Sequence, residues 1–328
     1  MDQAQPFAIR FRETGGPGVL ETQPLALGEP GSGEVLIRHE AIGLNFIDTY
    51  LRSGLYPASL PAGLGNEAAG VVEAVGPDVG DFAVGDRVGY FVAPPGAYAT
   101  HRIIASALLV KLPDAISFEQ AAAAMLKGCT AEFLIERCAR VQPGQAVLVH
   151  AAAGGVGSIA VQWLKAIGAT VIAHSGNADK ARMAKELGAD LSLDVPLDEL
   201  SEQVRKLTDG TGVPVVLDGV GAASWNASLA STARRGLIVS YGNASGPVPP
   251  LSLLELMRGG SLFVTRPTLF DFCATPDEMR ASAARLFELM LASRIEVRIG
   301  TRFRLAEAVD AHRALEGRKT TGSTVLVP

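Results

Sequence analysis

The sequence is poor in the features that mark several large classes of protein. It contains only three cysteines, Cys129, Cys138 and Cys273, too few and too scattered for a disulfide framework. The formal net charge is −5 and no basic run occurs, so capture of nucleic acid is not expected. No apolar segment reaches the length of a membrane span, and residues 1–12 lack the apolar core of a signal peptide. We therefore expect a globular protein of the reducing cytoplasm, with no membrane or nucleic-acid partner.

The most informative feature that the sequence does contain is a glycine-rich turn that lies between a strand-like apolar run and a segment with helical spacing of apolar residues. Residues 145–149 form a short apolar run typical of a buried parallel strand, and apolar residues within 159–167 fit an amphipathic helix. The turn 154–157 reads Gly-Gly-Val-Gly, and a second apolar strand follows at 169–173. This unit places a pyrophosphate on a helix N-terminus. The pattern predicts dinucleotide binding, and an ordinary glycine-rich turn of an α/β domain is the alternative.

The chain changes character near residue 117. Before it, predicted strands alternate closely with Gly and Pro, which suits a β-rich, partly closed barrel; they are 7–12, 34–42, 70–75, 87–92, 97–104 and 108–111. Ser117 and Gln120 form a capping box ahead of a helix that reaches about residue 140. Strands and helices then alternate, which predicts a doubly wound parallel sheet. The predicted strands are 146–149, 170–173, 191–194, 214–217, 236–241 and 261–265, with helices at 178–187, 197–208 and 223–232.

The end of the chain is predicted to return to the first domain. A helix at 276–293, a strand at 297–305, a helix near 306–315 and a strand at 323–327 follow a nucleotide sheet that already has its usual six strands. We therefore predict a catalytic barrel-like domain of residues 1–127, completed by 269–328. A Rossmann domain of residues 128–268 is inserted into it, and the cleft between the two is expected to hold the reactive end of the cofactor.

The segment after the second nucleotide strand bears on the choice of cofactor. Folds that bind NAD place Asp or Glu there, about 20 residues past the glycines, whereas residues 173–177 read Ala-His-Ser-Gly-Asn. Ser175 can donate to a phosphate, and Lys180 and Arg182 follow on the next helix. This combination favours the 2′-phosphate of NADPH. A solvated helix face is the alternative for Lys180 and Arg182, and the neighbouring Asp179 opposes phosphate binding.

Several segments together resemble one family. They are 41–57 (AIGLNFIDTYLRSGLYP), 65–70 (GNEAAG), 85–88 (GDRV), the loop 151–157 and 263–267 (FVTRP). The chain is similar, nearly end to end, to the NADPH:quinone oxidoreductases, the zeta-crystallin-like, zinc-free branch of the medium-chain dehydrogenase/reductase superfamily. The resemblance implies a GroES-like catalytic domain, an inserted Rossmann domain and a homodimer joined through the nucleotide domains.

The resemblance also bears on metal chemistry. Zinc alcohol dehydrogenases of this superfamily carry Cys where this chain has Asn45, and His where it has Asn66. Amides are poor zinc ligands, no Cys-x-x-Cys occurs, and the five histidines show no ligand spacing, so we expect surface or core histidines. They are His39, His101, His150, His174 and His312. We expect a metal-free enzyme, which disfavours alcohol oxidation.

The resemblance further implies a set of site residues. Asn45 and Tyr50 are expected to bound the substrate cavity, where either could donate a hydrogen bond to a quinone oxygen; a buried aromatic with a satisfied hydroxyl is the alternative for Tyr50. Asp48 is expected to act mainly as a helix-cap partner, Glu67 to bond nearby backbone, and Lys127 either to contact the cofactor or to be a surface charge. The residues implied at the cofactor are Phe46, Ile47, Asp48, Thr49, Tyr50, Lys127, Thr130, Gly154, Gly155, Val156, Gly157, Ser175, Lys180, Tyr241, Gly242, Asn243, Arg266 and Arg318, with Arg318 near the 2′-phosphate beside Lys180.

One departure from the family pattern affects the cofactor. Members often carry Asn-Tyr after the third nucleotide strand, where this chain has Asp194-Val195, so we expect a weaker preference for NADPH over NADH. The function that the resemblance implies is NADPH-dependent reduction of quinones by hydride transfer without a metal. A 2-alkenal or enone reductase is the first alternative, and a non-catalytic, crystallin-like NADPH-binding protein is the second.

Overall fold

The computed structural model describes residues 5–328, which form sixteen β-strands and ten α-helices. The strands are β1 (Phe7–Phe11), β2 (Glu21–Pro24), β3 (Glu34–Leu44), β4 (Ala62–Gly63), β5 (Ala68–Val75), β6 (Arg87–Tyr90), β7 (His101–Ala105), β8 (Val110–Lys111), β9 (Ala146–His150), β10 (Thr170–His174), β11 (Leu191–Leu193), β12 (Val213–Asp218), β13 (Thr232–Ser240), β14 (Phe263–Thr265), β15 (Ile299–Arg304) and β16 (Ser323–Val327). The helices are α1 (Phe46–Ser53), α2 (Phe118–Glu132), α3 (Gly155–Ala166), α4 (Ala178–Glu186), α5 (Leu197–Lys206), α6 (Trp225–Ser231), α7 (Leu253–Arg258), α8 (Leu269–Phe272), α9 (Pro276–Leu291) and α10 (Ala308–Glu316).

These elements form two compact units. The first unit runs to Cys129 and includes Cys273–Leu291 and Val297–Pro328, and the second is Thr130–Phe272 with Ala292–Glu296. No helix formed by residues 5–328 combines the length and the apolar character needed to cross a bilayer.

The first unit is built on a seven-stranded sheet with β3 at its centre. The order is β15-β16-β3-β5-β6-β8, and β7 also pairs with β3. The inward-facing residues of β3 alternate along the strand, with Val35 and Ile37 almost fully buried, as expected for a strand with one face on a core. The last strand, β16, pairs antiparallel with β3 and sets Leu326 opposite Ile42. The end of the chain thus lies in the sheet of the first unit.

The second unit is a six-stranded parallel sheet in the order β11-β10-β9-β12-β13-β14. Its central strands are buried: Leu148 and Val216 are fully buried, and Ile172 is almost so. Strands with such continuous burial are typical of a sheet covered on both faces. The order reverses at β9, which lies between β10 and β12, so the carboxyl ends of β9 and β12 form the point where such sheets bind ligands. The predicted doubly wound sheet is confirmed.

The structure differs from the predicted elements where local pattern and tertiary contacts disagree. The capping box is confirmed, because Ser117 Oγ accepts from the Gln120 N–H and Gln120 Oε1 accepts from the Ser117 N–H. The helix predicted to reach residue 140 is α-helical only to Glu132 and continues as a π-helix from 133 to 138. The strand predicted at 97–104 begins only at residue 101; before it, the Tyr98 N–H bonds to the Leu64 carbonyl oxygen and the Thr100 N–H to the Phe7 carbonyl oxygen. The short elements β2, β4 and α1 were not predicted.

Candidate active site

The glycine-rich turn joins β9 to α3. Ala151, at the first position of the turn, has a left-handed φ of 50°, which explains why glycine suits this position. A Cβ on Gly157 would overlap the Ala151 carbonyl oxygen and lie 2.9 Å from the Ala152 Cα. The helix therefore starts in close contact with the end of the strand. The first-turn N–H groups of α3 lie at the carboxyl edge of the sheet, where such groups can bind an anion.

The end of the neighbouring strand β10 carries a buried hydroxyl group. The Ser175 N–H donates to the Leu193 carbonyl at 2.9 Å, and its side chain is buried with an Oγ that has no hydrogen-bond partner. A buried polar atom without a partner is unusual in a folded protein and fits a ligand contact. The adjacent His174 has Nε2 at 3.0 Å from the Val195 carbonyl oxygen, and burial lowers its pKa.

The residues after Ser175 cap the following helix. Asn177 Oδ1 accepts a hydrogen bond from the Lys180 N–H at 2.9 Å, which places Lys180 in the first turn of α4. Arg182 pairs at 2.7 Å with Asp179, and both side chains are exposed. This pair fits the alternative of a solvated face for Arg182.

A buried carboxylate that the sequence analysis did not single out organises the loop after β12. Asp218 Oδ1 accepts from the Val220 N–H at 2.8 Å, and both Ser224 and Ser228 donate to this carboxylate. Ser228 Oγ lies 3.0 Å from His150 Nε2 at the end of β9, and burial lowers the pKa of His150 to about 4. An aspartate that ends an apolar strand and precedes Gly-Val-Gly was the signal that could have identified this loop.

The loop after β13 lies against the loop after β12. The Tyr241 N–H donates to the Asp218 carbonyl oxygen at 2.8 Å. A Cβ on Gly219 would lie 2.7 Å from the Tyr241 ring, and one on Gly242 would overlap the Gly219 carbonyl oxygen. The structure thus brings residues 241–243 beside residues 218–221 at the carboxyl edge of the sheet.

In the first unit, Asn45 lies immediately before α1 within a buried polar cluster. The Asn45 Nδ2 donates to Glu67 Oε1 at 2.9 Å, and Lys127 Nζ donates to the same oxygen at 3.1 Å. The Leu126 N–H donates to the other oxygen, Glu67 Oε2, at 2.6 Å. Lys127 is only 5% exposed, which excludes the surface-charge alternative for this residue. Glu67 bonds backbone as expected, but the sequence analysis missed its contacts with Asn45 and Lys127.

Asp48 lies in the first turn of α1 and links it to two distant residues. The Asn45 N–H donates to Asp48 Oδ2 at 2.9 Å, so the expected helix-cap role is confirmed. The Tyr98 hydroxyl donates to the same oxygen at 3.0 Å and lies 3.1 Å from His312 Nε2. Burial raises the pKa of Asp48 to about 7, and burial together with nearby Arg52 lowers the pKa of His312 to about 3. His312 is therefore neutral near pH 7.

Tyr50, on α1, lies beside the ring of Phe46, with centroids 6.3 Å apart. Its ring is 9% exposed and lies edge-on to Tyr56, with centroids 5.2 Å apart. Phe46 and Ile47 are half-buried, and the Thr49 hydroxyl donates to the Phe46 carbonyl oxygen at 2.7 Å. Both alternatives for Tyr50 stay open.

Three further predicted residues lie apart from these clusters along the chain. Thr130 lies in α2 as the first residue of the second unit. Arg266 follows β14, is exposed, and donates to the Pro267 carbonyl oxygen at 3.2 Å. Arg318 follows α10 in the first unit, is exposed and has a left-handed φ of 56°. Its expected position near the 2′-phosphate stays a prediction.

The two asparagines at the positions where zinc enzymes carry ligands are engaged in hydrogen bonds. The Asn66 Nδ2 donates to the Ala93 carbonyl oxygen at 2.9 Å, while Asn45 is bonded to Glu67. Among residues 5–328, no group of three or more His, Cys, Asp or Glu side chains is arranged to hold a metal ion. The absence of a metal from the functioning protein stays a prediction.

Comparisons with known proteins agree with this architecture. The alcohol dehydrogenase GroES-like domain matches residues 31–114, and the zinc-binding dehydrogenase family matches residues 155–288. The fold and the site therefore define a dehydrogenase or reductase built from a GroES-like unit and a Rossmann unit.

The most informative relatives match over almost the whole chain. A Pseudomonas aeruginosa protein named quinone oxidoreductase is 51% identical over 98% of this chain and 99% of its own. The structure of Escherichia coli quinone oxidoreductase complexed with NADPH has a TM-score of 0.96 and 44% identity, covering 98% of this chain and all of that one. A 2-haloacrylate reductase from a Burkholderia species is 40% identical, covering 98% of this chain and 99% of the relative. The chain belongs to the quinone oxidoreductase family of the medium-chain dehydrogenases/reductases.

Proposed function

We propose that this chain reduces quinones to hydroquinones by hydride transfer from NADPH, without a metal. The observation that carries the proposal is the 51% identity, over nearly the full length of both chains, to a protein named quinone oxidoreductase. The test is consumption of NADPH by the purified protein with a panel of quinones, before and after dialysis against a chelator. No consumption with any quinone would refute the proposal, and loss of activity on chelation would refute its metal-free part.

The second unit, which contains most of the predicted domain 128–268, is the NADP-binding domain in this proposal. Its residues fit a dinucleotide, because glycine at 154, 155 and 157 leaves the backbone at the start of α3 open to a phosphate. The unpartnered Ser175 Oγ lies at the end of β10, where the adenosine ribose binds in Rossmann folds. The first turn of α3 binds the pyrophosphate, Ser175 and Lys180 bind the adenosine end, and residues 241–243 with Arg266 complete the site.

The residues of the first unit orient the acceptor. NADPH supplies a hydride when bound, and one proton completes the conversion of a quinone to a hydroquinone. Asn45 has one Nδ2 hydrogen left after its bond to Glu67, and this N–H donates to a quinone oxygen. Tyr50 forms an aromatic wall with Phe46 and Tyr56. Because a quinone accepts a hydride readily, orientation and exclusion of water are the main contributions of these residues.

The preference for NADPH over NADH is expected to be small for this family. Asp194 is an exposed carboxylate next to Val195, and both follow β11 close to the His174 side chain. A carboxylate there repels a 2′-phosphate, and valine offers no hydroxyl. The test compares kcat/KM for the two cofactors in the wild type and in Asp194→Asn/Val195→Tyr. An unchanged ratio in the double variant would contradict this part of the proposal.

Reduction of an activated carbon–carbon double bond is the second candidate. The relative named 2-haloacrylate reductase, 40% identical over 98% of this chain, favours it. The same panel with 2-alkenals and 2-haloacrylate distinguishes the two functions, because the preferred acceptor has the higher kcat/KM.

We further propose a cytoplasmic homodimer joined through the second units. Within the described part of the chain, β14 pairs on one side only, with β13. Phe263 on β14 is 61% exposed, and Leu253 and Met257 on α7 are 79% and 59% exposed. An edge strand beside exposed apolar side chains is typical of an interface. Light scattering after size exclusion tests it: Phe263→Glu should give a monomer, and an unchanged mass would count against this interface.

The three free cysteines support a reducing compartment, which cell fractionation tests.

A further inference from the structure

Asn45 is held at two points by two different buried carboxylates. Its backbone N–H donates to Asp48 Oδ2 and its side-chain Nδ2 donates to Glu67 Oε1, both at 2.9 Å. Asn45 is 6% exposed, and both carboxylates are fully buried. An amide group is planar, so the bond from one Nδ2 hydrogen to Glu67 also sets the direction of the second hydrogen. Two independent contacts therefore determine where this second hydrogen points.

Each carboxylate is held in turn by residues that the proposed function does not use as acceptor contacts. Glu67 accepts from Lys127 Nζ and from the Leu126 N–H. Asp48 accepts from the Tyr98 hydroxyl, which also contacts His312 Nε2 on α10. A buried carboxylate is costly unless it is hydrogen-bonded, so these partners determine where the two carboxylates lie.

Packing alone does not account for the Tyr98 hydroxyl. Tyr98 is 1% exposed within the apolar core of the first unit, where phenylalanine would fill the same space. The same core contains Tyr90, which is fully buried and has its hydroxyl 3.0 Å from His39 Nε2. The two tyrosines are thus matched in burial and in bonding to a histidine. Only Tyr98 also bonds a carboxylate that holds Asn45.

We propose that Tyr98 is a positioning residue of the quinone site: by holding Asp48, it fixes the backbone of Asn45, while Glu67 and Lys127 fix the side chain of Asn45. This inference rests on the proposed function and deepens it, because it names residues that set acceptor geometry without touching the acceptor. Removal of the Tyr98 hydroxyl leaves Asp48 free to shift and lets the Asn45 N–H move from its present direction.

The test compares Tyr98→Phe with the matched control Tyr90→Phe. Each variant loses one buried hydroxyl from the same core, so we expect similar decreases in melting temperature. With a quinone acceptor, kcat should fall about tenfold in Tyr98→Phe and stay within about twofold of wild type in Tyr90→Phe. The KM for NADPH should change far less than kcat in both, because the second unit holds most of the dinucleotide in the proposed function. Hydrogen exchange of the Asn45 N–H should become faster in Tyr98→Phe only.

The possible outcomes separate this inference from the proposed function. A wild-type protein that reduces no quinone overturns the proposed function, and this inference with it. If the wild type is active but the two variants have equal kcat values, the positioning role alone is overturned. The same follows if hydrogen exchange of the Asn45 N–H is unchanged in Tyr98→Phe. If Tyr98→Phe does not fold, Glu67→Gln tests the other contact: we expect a comparable loss of kcat, and wild-type kcat would overturn the inference.

Discussion

The close approach of Gly157 to the end of β9 gives a sharp test of the nucleotide-binding turn. In Gly157→Ala the new Cβ would overlap the backbone oxygen of Ala151 and lie 2.9 Å from the Ala152 Cα. Both neighbours are backbone atoms, so no flexible side chain can move away. An ordinary contact begins near 3.4 Å, and the overlap with the Ala151 oxygen is the tighter of the two, so the start of α3 must move by more than 0.5 Å from the strand.

The size of the effect follows from two opposing contributions. Overpacking costs about 1–3 kcal/mol, and alanine regains up to about 1 kcal/mol of helix propensity relative to glycine. We expect a net loss of about 1–2 kcal/mol in the free energy of unfolding, and a melting temperature lower by about 1.5–3 °C. Because the first-turn N–H groups move together, we expect affinity for NADPH to fall at least about tenfold.

The assay combines thermal unfolding with calorimetric titration of NADPH. The matched control is Gly80→Ala, because a Cβ at Gly80 would meet no atom within 4 Å. This variant should stay within about 0.5 kcal/mol of wild type and bind NADPH normally. Wild-type stability and NADPH affinity in Gly157→Ala would refute the reasoning, because the overlap would then carry no cost.

Three further predictions concern single groups. Ala151→Gly relieves the φ of 50° and should raise the free energy of unfolding in urea by about 1 kcal/mol; a decrease would show that Ala151 is not strained. Burial raises the pKa of Asp48 to about 7, so its contribution to stability is present below about pH 4 and is lost as pH rises to about 7. The stability of wild type relative to Asp48→Asn should therefore fall between about pH 4 and about pH 7 and level off above that, and a constant difference would contradict this. Lys127→Met removes the cation that pairs with buried Glu67 and should lower the free energy of unfolding by about 3 kcal/mol. The double variant Lys127→Met/Glu67→Gln should recover most of this loss. If denaturant unfolding shows that the losses of the two single variants add up in the double variant, the two residues are not a coupled pair.

Local patterns in the sequence determined much of the second unit. The apolar run before the glycine turn, the helical spacing after it and the alternation of strands and helices predicted the doubly wound sheet, because each signal lies within about 15 residues. The Ser117 and Gln120 capping box was equally local and is confirmed. The family resemblance, rather than periodicity, supplied Asn45 and Lys127 as site candidates. The elements β2, β4 and α1 escaped prediction because they are short and lack a continuous apolar run of the kind that marked equally short strands such as β11 and β14.

Only the tertiary structure decided how the polar groups of the first unit pair. Glu67 and Lys127 are 60 residues apart, Asp48 and Tyr98 are 50 apart, and Tyr98 and His312 are 214 apart. The sequence predicted a cap role for Asp48 and left Lys127 between a cofactor contact and a surface charge, but it indicated neither partner. Burial is the physical reason: a charged group that leaves water must find a hydrogen-bond partner wherever the fold brings one, and no local pattern encodes that meeting.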